Sequence, residues 1–176
     1  MPGDRAAASV PRDYMGDAPV KIGRSSGENT MTSLAGKTHY LEDLAVGQEA
    51  SMSRTVGEAD IDAYAALSGD YNPVHIDPEY AAKTMFKERI AHGILSAGYI
   101  SAVFGMQLPG PGSIYISQTL NFKGPVKIDD VVVTTVKVVE ITLDKKRARF
   151  ETICAVNGKP VLAGEAVLMV PLRPQA

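Results

Sequence analysis

The sequence is short of the features that define several large protein classes. It holds one cysteine, Cys154, in 176 residues, which excludes an internal disulfide framework and fits a reducing compartment. Neither sign of charge dominates. The 18 basic and 20 acidic side chains leave a formal charge of −2, without the basic footprint of a nucleic-acid binder or an acidic tail. Long apolar runs are lacking too. The longest, GILSAGYISAVFGMQL at residues 93–108, contains Gly and Ser and falls short of the roughly 20 apolar residues that a membrane span requires. No basic-plus-apolar secretory signal opens the chain. Asp4, Asp13, Asp17 and Glu28, set among the early arginines, argue against a transit peptide. The default address is cytoplasmic, with no nucleic-acid or membrane partner expected.

What is present suits a globular protein: 45% hydrophobic and 22% charged residues, at a length that favours one domain. Residues 1–36 are rich in Gly, Pro and Ser and carry no apolar period. They cannot bury enough surface to offset chain entropy, so they are predicted to form a disordered or loosely packed arm. Met31 is a candidate natural start, with the piece before it dispensable. Residues 37–176 are expected to form a single domain.

The ordered pattern begins with GQEASMSRTV at residues 47–56, read as a first strand. Thr55-Val-Gly-Glu58 has capping-box spacing, and Ile61, Tyr64, Ala65 and Leu67 recur at helical intervals until Gly69 stops the helix. Asp77-Pro78 supplies an N-cap and a first-turn proline for a short helix over residues 78–86. The segment 93–107 is apolar on every side, which predicts an enclosed helix. The period then changes. SIYISQTLNF, VVVTTVKVVE, RARFETICAV and PVLAGEAVLMV read as four β-strands, with turns at Asp144-Lys145 and Asn157-Gly158. Cys154 lies in one of these runs as a small core hydrophobe. Short connections favour antiparallel pairing, and one apolar helix beside one antiparallel sheet packs best with the sheet curled around the helix. The predicted fold class is α+β.

Two stretches could carry chemistry. In LSGDYNPVHIDPEYA, residues 67–81, Asp70 and His75 flank an Asn72-Pro73 turn. Asp, Asn and Pro are common helix-exit residues, so a plain turn with a half-exposed histidine is one reading. The other is that the stiff turn brings a carboxylate and an imidazole to one small volume, as a proton-handling pair for adding or removing water. At His92-Gly93 the apolar helix begins, with free N–H groups and a positive dipole end. Gly93 either permits tight entry into a packed helix or lets a carbonyl oxygen approach the backbone as in an oxyanion hole. His75, Asp77 and His92 match no established metal spacing, and Asp77 already serves as a cap, so no metal is expected.

These stretches, LSGDYNPVHIDPEYAA, IAHGILSAGYIS and GSIYISQTLNFKGPVKIDD, resemble the MaoC-like (R)-specific enoyl-CoA hydratases over residues 41–171. The resemblance implies a hotdog fold and a homodimer with sheets joined edge to edge. It also implies reversible hydration of trans-2-enoyl-CoA to (R)-3-hydroxyacyl-CoA. No cofactor is implied beyond the coenzyme A of the substrate, and carrier-protein thioesters stay open. By position, Asp70 and His75 become the catalytic pair and the Gly93 amide polarises the thioester carbonyl. Asn72 shapes the turn, and Ser101 and Phe104 line the acyl pocket; for Phe104, packing in the core is the open alternative. Within the same fold a thioesterase is a competing expectation, weakened because residues 93–107 contain no acid. A non-catalytic acyl-binding domain is the other, and it would have no use for an acid–base pair.

Overall fold

The computed structural model of the chain describes residues 36–175, so the predicted arm falls outside the described residues except for Gly36. After a short 3-10 turn at Leu41–Asp43 come β1 (Glu49–Thr55), α1 (Glu58–Ser68), α2 (Pro73–Ile76), α3 (Pro78–Lys83) and α4 (Gly93–Met106). β2 (Ile114–Gln118), β3 (Asn121–Phe122), β4 (Val131–Thr142), β5 (Arg147–Val156) and β6 (Lys159–Met169) complete the chain.

Two-residue alternation builds the sheet. β4 buries Val132, Thr134, Val136 and Val138, and β5 buries Ala148, Phe150, Thr152 and Cys154. The antiparallel register sets Thr134 opposite Cys154 and Val138 opposite Phe150, so one face of both strands is continuous and apolar. β6 extends that face with Leu162, Ala166 and Leu168. α4 lies against it through Tyr99, Ile100, Val103 and Phe104, giving the hotdog arrangement expected from the sequence. The β5–β6 hairpin turns at Asn157 and Gly158 with φ of 50° and 75°, both left-handed as a tight hairpin turn of the primed type requires.

Three local expectations need correction. Helix α1 is capped by Gly57, whose N–H donates to Asp60 Oδ2 at 2.9 Å, and not by Thr55, which still belongs to β1. Helix α3 stops at Lys83 rather than Phe86 because Thr84 adopts an extended conformation. The run at residues 113–122 is not one strand but two, broken at residues 119–120. Both halves pair with β6, giving the order β1-β4-β5-β6-β2. Thr119 presses so closely on β6 that a Cβ at Gly164 would lie 1.8 Å from its carbonyl oxygen, so only glycine admits the break there.

The link at residues 123–130 then returns the chain to the opposite edge, where β4 pairs with β1. On the way Ala91 donates its N–H to Val126 O at 2.7 Å, which ties the link to the approach of α4. Within one chain α4 is enclosed on its sheet side only. Ile94, Gly98, Ser101, Gly105 and Met106 form an exposed stripe along the other side. Among the described residues, no helix is long and apolar enough to cross a membrane.

Candidate active site

The segment between α1 and α4 is held by side chains that satisfy its own backbone. Gly69 ends α1 at φ 77°. Ser68 Oγ accepts the Asp70 N–H at 3.2 Å, and the Asp70 carboxylate accepts the Asn72 N–H at 3.2 Å. Asn72 Oδ1 accepts the Val74 N–H at 3.3 Å, and Pro73 follows at the first helical position. The proline turn read from the sequence is thus a single helical turn, α2, with His75 on it. Asp77 spends its carboxylate capping α3, accepting the N–H groups of Glu79 at 2.9 Å and Tyr80 at 3.0 Å.

His75 is fixed from two sides. Its Nδ1–H donates to Ile90 O at 2.8 Å, and Arg89 Nε donates to the His75 main-chain oxygen at 2.5 Å while its guanidinium pairs with Asp62. With Nδ1 as donor, neutral His75 presents Nε2 as a proton acceptor. Burial lowers the pKa of this imidazole, an effect the Ile90 carbonyl and the Asp70 carboxylate oppose in part. His92 is 2% exposed and donates Nε2–H to the Asp70 main-chain oxygen at 2.9 Å. Its ring packs against that of His75, centroids 3.9 Å apart and planes tilted by 32°, and lies 4.8 Å from that of Tyr64. Asp70, His75 and His92 each offer an oxygen or nitrogen within 4.8 Å of the others, close enough for one water to bridge acid and imidazole.

The same trio offers atoms of the kinds that ligate a metal ion. An ion needs nitrogen lone pairs converging on a point about 2.0–2.1 Å away. The two imidazoles, tilted by 32° to each other, each give one nitrogen to a main-chain carbonyl and keep one.

Beside the trio opens a cavity of about 530 Å³ lined by His75, Gly93, Ser96, Phe122, Lys123 and Leu162, among others. That is room for an acyl chain of several carbons. Gly93 is the first residue of α4, so its N–H has no acceptor within the helix and meets the cavity at the positive end of the helix dipole. The Phe122 ring also packs closely over this glycine. A Cβ there would lie 2.7 Å and 2.8 Å from two Phe122 ring carbons.

The structure thus sets Asp70 beside His75, and His75 and Gly93 on one cavity wall, with Asn72 shaping the turn; Asp70 is exposed and is not itself part of that wall. Ser101 and Phe104 lie elsewhere: neither lines this cavity. Ser101 faces outward on the exposed stripe of α4, and Phe104 is 1% exposed, packed edge-on against Phe150 at 4.9 Å and Tyr115 at 5.3 Å. Sequence reasoning missed Arg89, the Ile90 carbonyl and Ser96. None stands in a turn or spacing that marks it, and each acts through a contact that the fold alone creates.

Fold and site together define a hotdog domain with a carboxylate and an imidazole at the amino end of its central helix. The chain belongs to the MaoC like domain family, whose profile matches residues 43–164. It is 54% identical over 135 residues to an (R)-specific enoyl-CoA hydratase of Rhodospirillum rubrum, covering 77% of this chain and 94% of that one. It is 46% identical over 137 residues to a 3-hydroxybutyryl-CoA dehydratase of Methylorubrum extorquens, covering 78% and 87%. Among solved structures, the (R)-hydratase from Aeromonas caviae involved in PHA biosynthesis matches with a TM-score of 0.72 at 44% identity, covering 74% and 99%.

Proposed function

We propose that the protein adds water across the 2,3 double bond of a trans-2-enoyl-CoA, giving the (R)-3-hydroxyacyl-CoA, and catalyses the reverse dehydration. The observation that carries this reading is a carboxylate beside an imidazole that shares a cavity wall with a helix-start amide. Asp70 and His75 lie within reach of a shared water, and His75 and Gly93, the first residue of α4, both line the cavity. The (R) outcome is the one for which the Rhodospirillum and Aeromonas relatives are named.

The thioester C=O conjugates with the double bond and makes C3 electrophilic. Water held between Asp70 and His75 forms its O–C3 bond as one of its protons leaves to the pair, with Nε2 of His75 as the acceptor. The π electrons move toward the thioester, leaving negative charge on its oxygen, where the Gly93 N–H meets it. A proton from the pair then reaches C2, the carbonyl re-forms, and the pair regains its starting protonation. No redox change occurs, and the activating electrophile is the substrate's own thioester, so the step calls for no cofactor. Among the described residues, Lys123 is the one lysine or arginine on the cavity wall, which favours a substrate carrying phosphates such as coenzyme A.

We also propose a homodimer, paired through the β2 edge. The two sheet edges differ in chemistry. β1 presents Glu49, Ser51, Ser53 and Arg54, the polar blunting of a free edge, whereas β2 exposes Ile114, Tyr115 and Ile116. Light scattering on purified protein should give twice the chain mass.

The functional test is a panel of enoyl-CoAs followed by loss of enoyl absorbance, with chiral analysis of the product and a parallel thiol assay. Formation of the (R)-3-hydroxy product without thiol release supports the reading. Thiol release would make the protein a thioesterase, and tight binding without turnover would make it an acyl-binding domain.

A further inference from the structure

Beside the acid–base pair stands a buried titratable side chain that the mechanism does not use, His92. It donates Nε2–H to the main-chain oxygen of Asp70, packs its ring against that of His75 at 3.9 Å with a 32° tilt, and is the N-cap residue of the helix whose first amide is that of Gly93. One side chain therefore touches both members of the acid–base pair and sits next to the amide. It is held in turn by the Tyr64 ring of α1 at 4.8 Å. Its remaining nitrogen, Nδ1, is buried with no hydrogen-bond partner among the described residues. A buried acceptor left unmatched costs stability, and an apolar side chain in the same space would avoid that cost. A residue chosen for packing alone would not be a histidine.

We infer that His92 is a positioning residue that sets the Asp70 backbone and the His75 ring at the spacing one shared water needs. The inference rests on the hydratase reading above, since it concerns the same pair. Misplacing a reacting group by about 1 Å can cost about 10²-fold in rate. His92→Leu removes the hydrogen bond to Asp70 and the unmatched nitrogen together. His92→Gln keeps an N–H donor able to reach the Asp70 oxygen.

The experiment measures kcat and KM on a short enoyl-CoA, with thermal melting, for wild type, His92→Leu, His92→Gln and each variant combined with Asp70→Asn. The expected result is a kcat for His92→Leu about 10²-fold lower, with KM and melting temperature near wild type and partial recovery in His92→Gln. In the Asp70→Asn background the further loss should be small, because a residue acting through Asp70 has nothing left to position. A wild-type kcat in His92→Leu overturns the inference. So does a kcat loss that tracks a fall in melting temperature, or one that multiplies fully with Asp70→Asn. Failure of wild type to hydrate any enoyl-CoA is a separate outcome, and it removes the hydratase reading itself. The His75 position then tests the His92 contact alone: with only three histidines in the chain, its ring resonance can be assigned by substitution and must shift in His92→Leu.

Discussion

Gly93→Ala separates packing from chemistry at the start of α4. The added methyl would lie 2.7 Å and 2.8 Å from two carbons of the Phe122 ring, well inside the about 3.5–4.0 Å at which carbons rest in contact. Phe122 is 54% exposed, so its ring can swing aside into solvent with little loss of buried surface. Alanine is also the better helix former, by up to about 1 kcal/mol in a helix interior and less at a first position. Thermal stability should therefore stay close to wild type. Catalysis should not. The methyl stands where the cavity meets the first amide of α4, so the thioester oxygen is held away from the 2.7–3.1 Å that an oxyanion donor requires. Losing one such donor costs about 2.7–4 kcal/mol, or about 10²–10³ in kcat. The assay is the initial rate of enoyl absorbance loss beside a melting curve. Gly93→Ala with Phe122→Ala gives the methyl room and should remain slow, because the amide is still screened. A near-wild-type kcat in Gly93→Ala, or full recovery in the double variant, would refute the role given to this amide.

Other consequences follow from named contacts. Because His75 accepts a proton through Nε2, activity should fall as pH drops through its pKa. Burial holds that pKa below the ordinary 6.5, and a pH profile of kcat/KM with its acid limb centred above 6.5 would contradict the assignment. Phe104→Ala empties a site that is 1% exposed and should cost about 3–5 kcal/mol in urea unfolding. It should leave the ranking of acyl lengths unchanged, whereas a shift toward longer enoyl-CoAs would place that ring at the acyl pocket after all. Lys123→Glu should raise KM for enoyl-CoA a few-fold, in line with the about 0.2–1 kcal/mol of an exposed charge pair. The N-acetylcysteamine thioester, which has no phosphates, should be unaffected; an equal rise for both would detach Lys123 from the phosphates.

Much of the fold was legible because it is written in local periods. The alternation in residues 131–140 and 147–156, the Asn157-Gly158 turn and the apolar run from Gly93 are signals that tertiary context did not reverse. The break at residues 119–120 was not legible, since it depends on Gly164 lying across the sheet, a contact between residues far apart in sequence. The crossing of residues 123–130 was hidden for a related reason. Strands adjacent in sequence were expected to be adjacent in space, and the link instead ties to Ala91 on the way to α4. At the site, Asp70, Asn72 and His75 stand out because a proline turn gathers them within a few residues. Arg89, the Ile90 carbonyl and the hold of His92 on Asp70 do not stand out. They join segments 14 to 22 residues apart, and only the folded chain makes them neighbours.

The most direct measurement is turnover of a short trans-2-enoyl-CoA by Asp70→Asn beside wild type, with circular dichroism of both. Asparagine keeps an oxygen able to accept the Asn72 N–H, so the turn should hold and the spectra should coincide. Hydration should fall by the factor of about 10²–10⁴ that an acid–base group supplies. An Asp70→Asn protein that folds normally and hydrates at the wild-type rate would contradict the account at its centre.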